Sequence, residues 1–339
     1  MNTIKKLTHR TEFYIFLVII ALAIVIQARS GQFFTGNNIV DLIGALIVPA
    51  LFSIGTFMII VSGGIDVSFP ALAALVSYIV TVVLNGANYT GPIIIPFIFA
   101  GALGLVCGAF NGLFIAKMRL PALIVTLGTQ SVFRGILQGA LNAQQINILP
   151  ASMKEFGKSS LFVSQNAEGV TSMMPIAFVA LVVLIVIAFL ILRYTMLGRG
   201  IYAIGGDESS ANRAGFKVTR VKFFVYCFAG AIAGITGIIR ACMMNMVHPT
   251  NMFGMEMTVI AAIVLGGTSI AGGTGSLTGT ILGIFLLTMV QNSLIMLGVP
   301  AYWQDFVTGM LIIVGTAVSS IQLLRNQRQK KPSLAKAGS

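Results

Sequence analysis

The residues best placed to do chemistry lie in three clusters. Val61-Ser62-Gly63-Gly64-Ile65-Asp66-Val67-Ser68 joins two apolar runs. Its paired glycines permit unusual backbone or the close approach of another group, while a carboxylate beside freed amides and a hydroxyl can hydrogen-bond a polar solute. A charged side chain at the centre of a bilayer costs about 2.5–3.5 kcal/mol on insertion scales, so Asp66 calls for a partner or water. It could instead be the N-cap of the following helix; both roles can hold together. The second cluster runs from Ile260 to Thr280, with six glycines in the fourteen residues from Gly266 to Gly279. Gly266, Gly267 and Thr268 open a stretch too glycine-rich for an ordinary helix, suited either to a tight, hydroxyl-lined passage between half-spans or to close helix packing. The third holds the isolated intramembrane charges Arg134 and Glu256, which can pair with each other or with Asp66; Arg134 can also snorkel to the surface. Asn111, Gln291 and Asn292 interrupt apolar helices and could face a solute path or bond between helices.

The elements that must position these groups are membrane spans. Of 339 residues, 57% are hydrophobic and only 9% charged, and several apolar runs reach the ~18 residues a bilayer crossing needs. The sequence therefore predicts an all-α polytopic membrane protein of about ten transmembrane helices, some short or broken. Spans are expected near 13–28, 42–61, 69–84, 93–116, 122–141, 175–192, 222–240, 256–267, 277–297 and 305–324. One or both of the short spans at 69–84 and 256–267 should be broken or re-entrant. The domain organisation is a cytoplasmic N-terminus over 1–12, a transmembrane domain over 13–324 and a basic cytoplasmic tail over 325–339. The first apolar run lacks a tight cleavage pattern, so it is read as a retained helix.

The net charge of +12 belongs to the membrane interface, not to nucleic acid. Sixteen of the 21 cations fall at the N-terminus, at Lys117 and Arg119, within 193–222, and in the tail. Ten spans starting inside place all of these in the cytoplasm and put 85–92 and 142–174 outside. Leu120-Pro121-Ala122 and Val299-Pro300-Ala301 head spans from opposite sides, which an inverted repeat would produce, although X-Pro-Ala also simply starts helices. Cys107, Cys227, Cys242, His9 and His248 lack the spacing of a metal site. The motif G-x-x-x-x-G-K-[ST] is nowhere in the chain, so no nucleotide site is expected here. No cofactor is assigned.

The connector from Arg193 to Lys217 is polar, cationic and patterned like a short helix, as a docking surface for a soluble partner would be. Taken together, Gly63 to Ser68, Tyr202-Ala203-Ile204-Gly205-Gly206 and Ile260 through Thr280 resemble the monosaccharide permeases of bacterial ABC importers, over residues 35 to 324. Leu297 to Gln304 fits as well. The resemblance implies a fold like that of the vitamin B12 importer, a second permease copy (homodimer or related heterodimer), and a periplasmic or lipid-anchored solute-binding protein. It also implies an ATPase with two nucleotide domains, which would use the ATP and Mg. Asp207, Glu208, Ser209, Ala211, Asn212, Arg213, Ala214 and Gly215 then belong to a coupling helix over 207–216, and Gly63, Gly64, Asp66, Ser68, Asn111, Arg134, Glu256, Gly266, Gly267, Thr268 and Asn292 to the pathway or its gate. Small side chains at Ala211 and Ala214 would form the docking face, with Gly215 ending the helix. Phe69-Pro70 and Thr258 depart from the family pattern and leave the solute open. An ion-coupled transporter built on Asp66, Glu256 and Arg134, or a permease for a nucleoside or a furanose-like signal, are the alternatives.

Overall fold

The computed structural model describes residues 11–141, 144–166 and 169–300, together with 303, 306–310 and 313. In lipid every backbone polar group must be satisfied internally, and the apolar runs accordingly fold as helices. These are α1 (Thr11–Ser30), α2 (Gly36–Val61), α3 (Phe69–Gly86), α4 (Ile94–Gly112), α5 (Ala122–Gly135), α6 (Ala151–Lys158), α7 (Ala177–Tyr194), α8 (Met196–Gly206), α9 (Glu208–Arg213), α10 (Val218–Met244), α11 (Met255–Leu265) and α12 (Leu277–Met296). Among the described residues, seven helices are long and apolar enough to cross a membrane. α4 and α5 each continue into a π-helical turn, Leu113–Lys117 and Ile136–Ala140, so α5 with its extension matches the span expected at 122–141.

Of the two short spans, one or both of which were expected to be broken, one is whole and the other is short. α3 runs unbroken for 18 residues, because Pro70 sits in the first turn, where its missing N–H would be unpaired anyway. α11 has only 11 residues, about 16 Å of rise, half of a crossing, and ends in the glycine-rich loop as anticipated. The last span, expected at 305–324, the tail 325–339 and residues 1–10 lie almost wholly outside the described residues. So does Ala301, which leaves the inverted repeat without its second helix start.

A two-stranded antiparallel hairpin, β1 (Ser160–Gln165) and β2 (Thr171–Pro175), departs from the all-helical expectation. Leu161-Phe162-Val163 favours extended backbone, and Asn166 Oδ1 tightens the turn by accepting from Val170 N at 2.9 Å. The hairpin caps the beginning of α2: Asn37 Nδ2 donates to Val170 O at 2.8 Å and Ser172 Oγ to Asp41 Oδ2 at 3.1 Å.

α10 is the hub of the helix bundle. A Cβ on Gly230, Gly234 or Gly237 would come within 2.3 Å of the carbonyl oxygens of Gly104, Ala100 and Ala73 respectively, so α4 and α3 meet α10 backbone to backbone. Lipid tails supply no hydrophobic drive between helices, and such contact gains its stability from dispersion across small residues. α2 packs on the same helix, with Gly55 against Ala229. Its 26 residues span about 39 Å, more than the ~30 Å hydrocarbon thickness. The hairpin meets the first residue of α2's length and the α8–α9 connector meets its last, so hairpin and connector lie at opposite ends of the molecule.

Candidate functional site

Asp66 is 5% exposed and forms no ion pair among the described residues. Its Oδ1 accepts from Ser68 N at 2.6 Å and from Ser68 Oγ at 2.7 Å, closing a side-chain turn that sets the direction of α3. The N-cap position itself is Ser68, whose side chain makes no cap bond, so the simple N-cap role for Asp66 is replaced by this turn. Asn111 Nδ2, near the end of α4, donates to Ser68 Oγ at 2.9 Å.

The residues on either side of Asp66, Ile65 and Val67, connect it to α5. Thr126 Oγ1 donates to Ile65 O at 3.3 Å, and Gln130 Nε2 donates both to Val67 O at 3.1 Å and to Glu256 Oε1 at 3.0 Å. Arg134 Nη2 reaches the same carboxylate oxygen at 3.4 Å, and Gly254 N donates to Oε2 at 2.9 Å. The guanidinium lies 4.2 Å from the ring centre of Phe253. Arg134 therefore pairs with Glu256, not with Asp66. One polar chain runs from Asn111 through Ser68 and Asp66, then along the backbone to Gln130, Glu256 and Arg134.

Thr126 and Gln130 were missed in the sequence. Their signal is spacing: 126, 130 and 134 stand at i, i+4 and i+8, one face of a helix. The expected pathway residue Asn292 lies elsewhere, donating to Asn38 Oδ1 at 3.2 Å near the hairpin end. It serves as an interhelical bond there.

The glycines form a second assembly. Gly273 N donates to Val61 O at 2.9 Å, and Tyr202 Oη donates to Gly275 O at 3.3 Å. A Cβ on Gly205 would fall 1.7 Å from Val61 O, one on Gly272 2.9 Å from Gly63 Cα, and one on Gly273 2.7 Å from Gly206 Cα. Thus the Gly63-Gly64 turn, the end of α8 and the Gly272-Gly273 loop meet at one point through main chain. Gly266 and Thr268 stand to one side. Gly266 abuts Gly279 O, which would lie 2.4 Å from a Cβ, and Thr268 is buried. Gly267 turns the chain with φ +88°. Gly266 packs α11 against α12 and Thr268 lies against Gly275; no hydrogen bond among the described residues joins them to the Asp66 chain.

Beyond the junction the connector folds as foreseen in kind but not in extent. α9 covers six residues, not ten. Asp207 Oδ1 caps it by accepting from Ser210 N at 2.6 Å. The hydrogen bonds from Ser210, side chain and backbone, hold the Asp207 carboxyl below its ordinary range, helped by Arg213. Gly215, at φ +91°, ends the turn after α9. Ala211 is only 4% exposed and packs on the chain's own core, so it cannot present a docking face. Glu208, Ser209, Asn212, Arg213 and Ala214 are the outward residues. Glu208 is tied by an ion pair to Lys222 at the start of α10.

A bundle of membrane helices with a buried polar chain, a glycine junction and an exposed connector defines the membrane subunit of a transporter. Residues 38–315 match the family of permease components of branched-chain amino acid transport systems, and the chain belongs to that family. It is 31% identical over 332 residues to the autoinducer 2 import system permease protein LsrC of Yersinia pseudotuberculosis serotype O:1b, covering 97% of this chain and 91% of that one. The permeases of the same description from Enterobacter sp. strain 638 and Klebsiella pneumoniae subsp. pneumoniae are each 32% identical over 338 residues, covering 98% of this chain and 94% of theirs. No solved structure matches. The chain is a multi-pass inner-membrane permease subunit of an ABC importer of small polar solutes, in line with the sugar-permease resemblance.

Proposed function

We propose that this subunit moves a monosaccharide or a solute of similar size and hydroxyl content across the membrane, the autoinducer 2 of its relatives included. A solute-binding protein delivers it at the hairpin end, and a separate ATPase with two nucleotide domains, using ATP and Mg, acts on the connector end. A second permease copy completes the path. The observation that carries this reading is the glycine junction. α9 follows directly on the end of α8, where Gly205 meets Val61 O and Gly63, three residues ahead of Asp66, and Gly206 meets Gly273. A pull on α9 is transmitted without passing through flexible side chains, and it reorients the Asp66–Ser68 turn together with α5 and Glu256.

The connector end is the cytoplasmic one in this reading. Lys117, Arg119, Arg193, Arg199, Arg213, Lys217, Arg220 and Lys222 lie there, and the positive-inside rule assigns them to the cytoplasm. α5 and its π-helical extension present Gly128, Ser131, Gly135 and Gly139 on a side that nothing among the described residues covers, a surface suited to the second copy.

The test is reconstitution in vesicles with the partner ATPase and loaded receptor, following entry of radiolabelled ribose and of autoinducer 2. ATP-dependent, receptor-dependent entry of either supports the reading. Entry driven by an ion gradient without the ATPase would overturn it.

A further inference from the structure

A cavity of about 220 Å³ lies on the connector side of the Gly63-Gly64 turn. Its walls bring together several hydrogen-bond donors and one carboxylate, Glu208, which is paired to Lys222. Tyr226 is 2% exposed and belongs to the cavity wall, and its buried hydroxyl, set against Gly64, has no hydrogen-bond partner among the described residues. Gly64 makes the room for it, since a Cβ there would fall 2.5 Å from that oxygen. Leu120, Pro121 and Ala122 form another wall, the start of α5, and the N-cap Pro121 supplies no side-chain acceptor to its first amides. A 14-residue helix so left carries partial positive charge and free N–H groups at this end. Arg119 and Lys222 add full charges. Arg119 has no carboxylate partner among the described residues, whereas Lys222 is shared with Glu208.

An orphaned phenol, an uncapped helix start, an unpaired guanidinium and an ammonium are all donors converging on one space. We propose that this cavity binds a small oxyanion, the phosphate group of a cytosolic compound. Oxyanions are what helix N-termini and Arg clusters hold best. Adjoining the cavity, and sharing Ala116, Arg119 and Glu208 with it, is a wider basin of about 680 Å³ that adds Arg213, Lys217 and Arg220. The organic part of a phosphate monoester would lie there. Because Glu208 belongs to α9 and Gly63 to the glycine junction, an occupant bridges the connector and the turn leading to Asp66, and so restrains their relative movement. Only the cytosolic source and this regulatory effect rest on the proposed function; the binding itself does not.

The test uses the purified full chain in detergent, with inorganic phosphate and glycerol 3-phosphate as probes against chloride at equal ionic strength. Binding is read by equilibrium dialysis of the labelled probe. Tyr226→Phe removes only the hydroxyl, and Arg119→Gln only the charge; each should weaken binding by about tenfold, the worth of a hydrogen bond to a charged group. Glu208→Gln releases Lys222 and removes a repelling carboxylate, so binding should tighten, which a purely structural role for Glu208 would not produce. Binding of free phosphate identifies the bare oxyanion as sufficient, and binding of the ester alone brings in the adjoining basin. Failure of both probes to bind, or affinities that none of the three substitutions changes, would overturn the site, whatever the transport assay returns.

Discussion

Gly205 and Val61 stand so close that a single methyl group on the glycine would lie 1.7 Å from the valine carbonyl oxygen. That oxygen already accepts the amide of Gly273, so neither chain can retreat without breaking the bond. Gly205→Ala should therefore force the junction apart, at a cost of about 1–3 kcal/mol or more. Its neighbour Gly206 has open space at the Cβ position. Gly206→Ala should leave melting temperature and uptake near those of the unaltered chain, while Gly205→Ala lowers both. Equal behaviour of the two variants would remove the junction from the argument.

Gln130 holds two acceptors at once, Val67 O and Glu256 Oε1. Gln130→Leu leaves both without that donor inside the bundle, which should cost about 1–3 kcal/mol. Solute uptake should fall further than protein level, since the lost bonds join α5 to the turn at Asp66. Ser131→Ala, on the exposed side of the same helix, is the control. A thermal melt and an uptake assay at matched protein level decide the matter.

Asp66 orients Ser68, and Ser68 receives Asn111. Asp66→Asn keeps an oxygen for the Ser68 amide and should retain much of the transport, whereas Asp66→Ala should abolish most of it with membrane insertion intact. If alanine transports as well as aspartate, the turn has no part in movement of the solute.

The Asp207 cap depends on pH in a defined sense. Its carboxyl titrates lower in the folded chain than in the unfolded one, because Ser210 donates to the ionised form. The contribution is complete above the unfolded pKa, near 3.9 for an ordinary aspartate, and is lost as pH falls through the depressed folded value. Hydrogen exchange at the Ser210 amide should quicken in that acid range and stay slow at neutral pH. Asp207→Asn should remove the pH dependence while keeping the cap, and Asp207→Ala should quicken exchange at every pH.

Sidedness can be read with cysteine labelling. The chain's own Cys107, Cys227 and Cys242 lie within α4 and α10. A cysteine at exposed Gln165 should react with an impermeant reagent in intact cells, and one at exposed Ser209 only after permeabilisation. Reversed labelling would invert the whole topology.

Much of this architecture was legible before any coordinates. Apolar runs of 18 or more residues announce their own helices because lipid leaves the backbone no other solution, and α2, α3, α7, α10 and α12 fall within a few residues of their expected places. Four features were not. The hairpin at 160–175 is short, polar at its turn and outside the span pattern. Ala211 was read as outward because a small residue between charges fits a docking face and a core contact equally well; only the fold, which leaves it 4% exposed, decides. Asn292 looked like Asn111 in one dimension, yet the two sit at different depths, a distance that one chain's order does not encode. Gln130 was hidden because an amide among apolar neighbours carries no mark of which residue it meets.

The glycine junction has a consequence for how such a subunit can diversify. Its three segments meet through amides, carbonyls and α-carbons, so no side chain there is available to be exchanged for a slightly different one. On the proposed function, the step that receives a mechanical input is thereby insulated from the residues that meet the cargo. A lineage can then try new cargo elsewhere in the bundle and keep the same engine throughout.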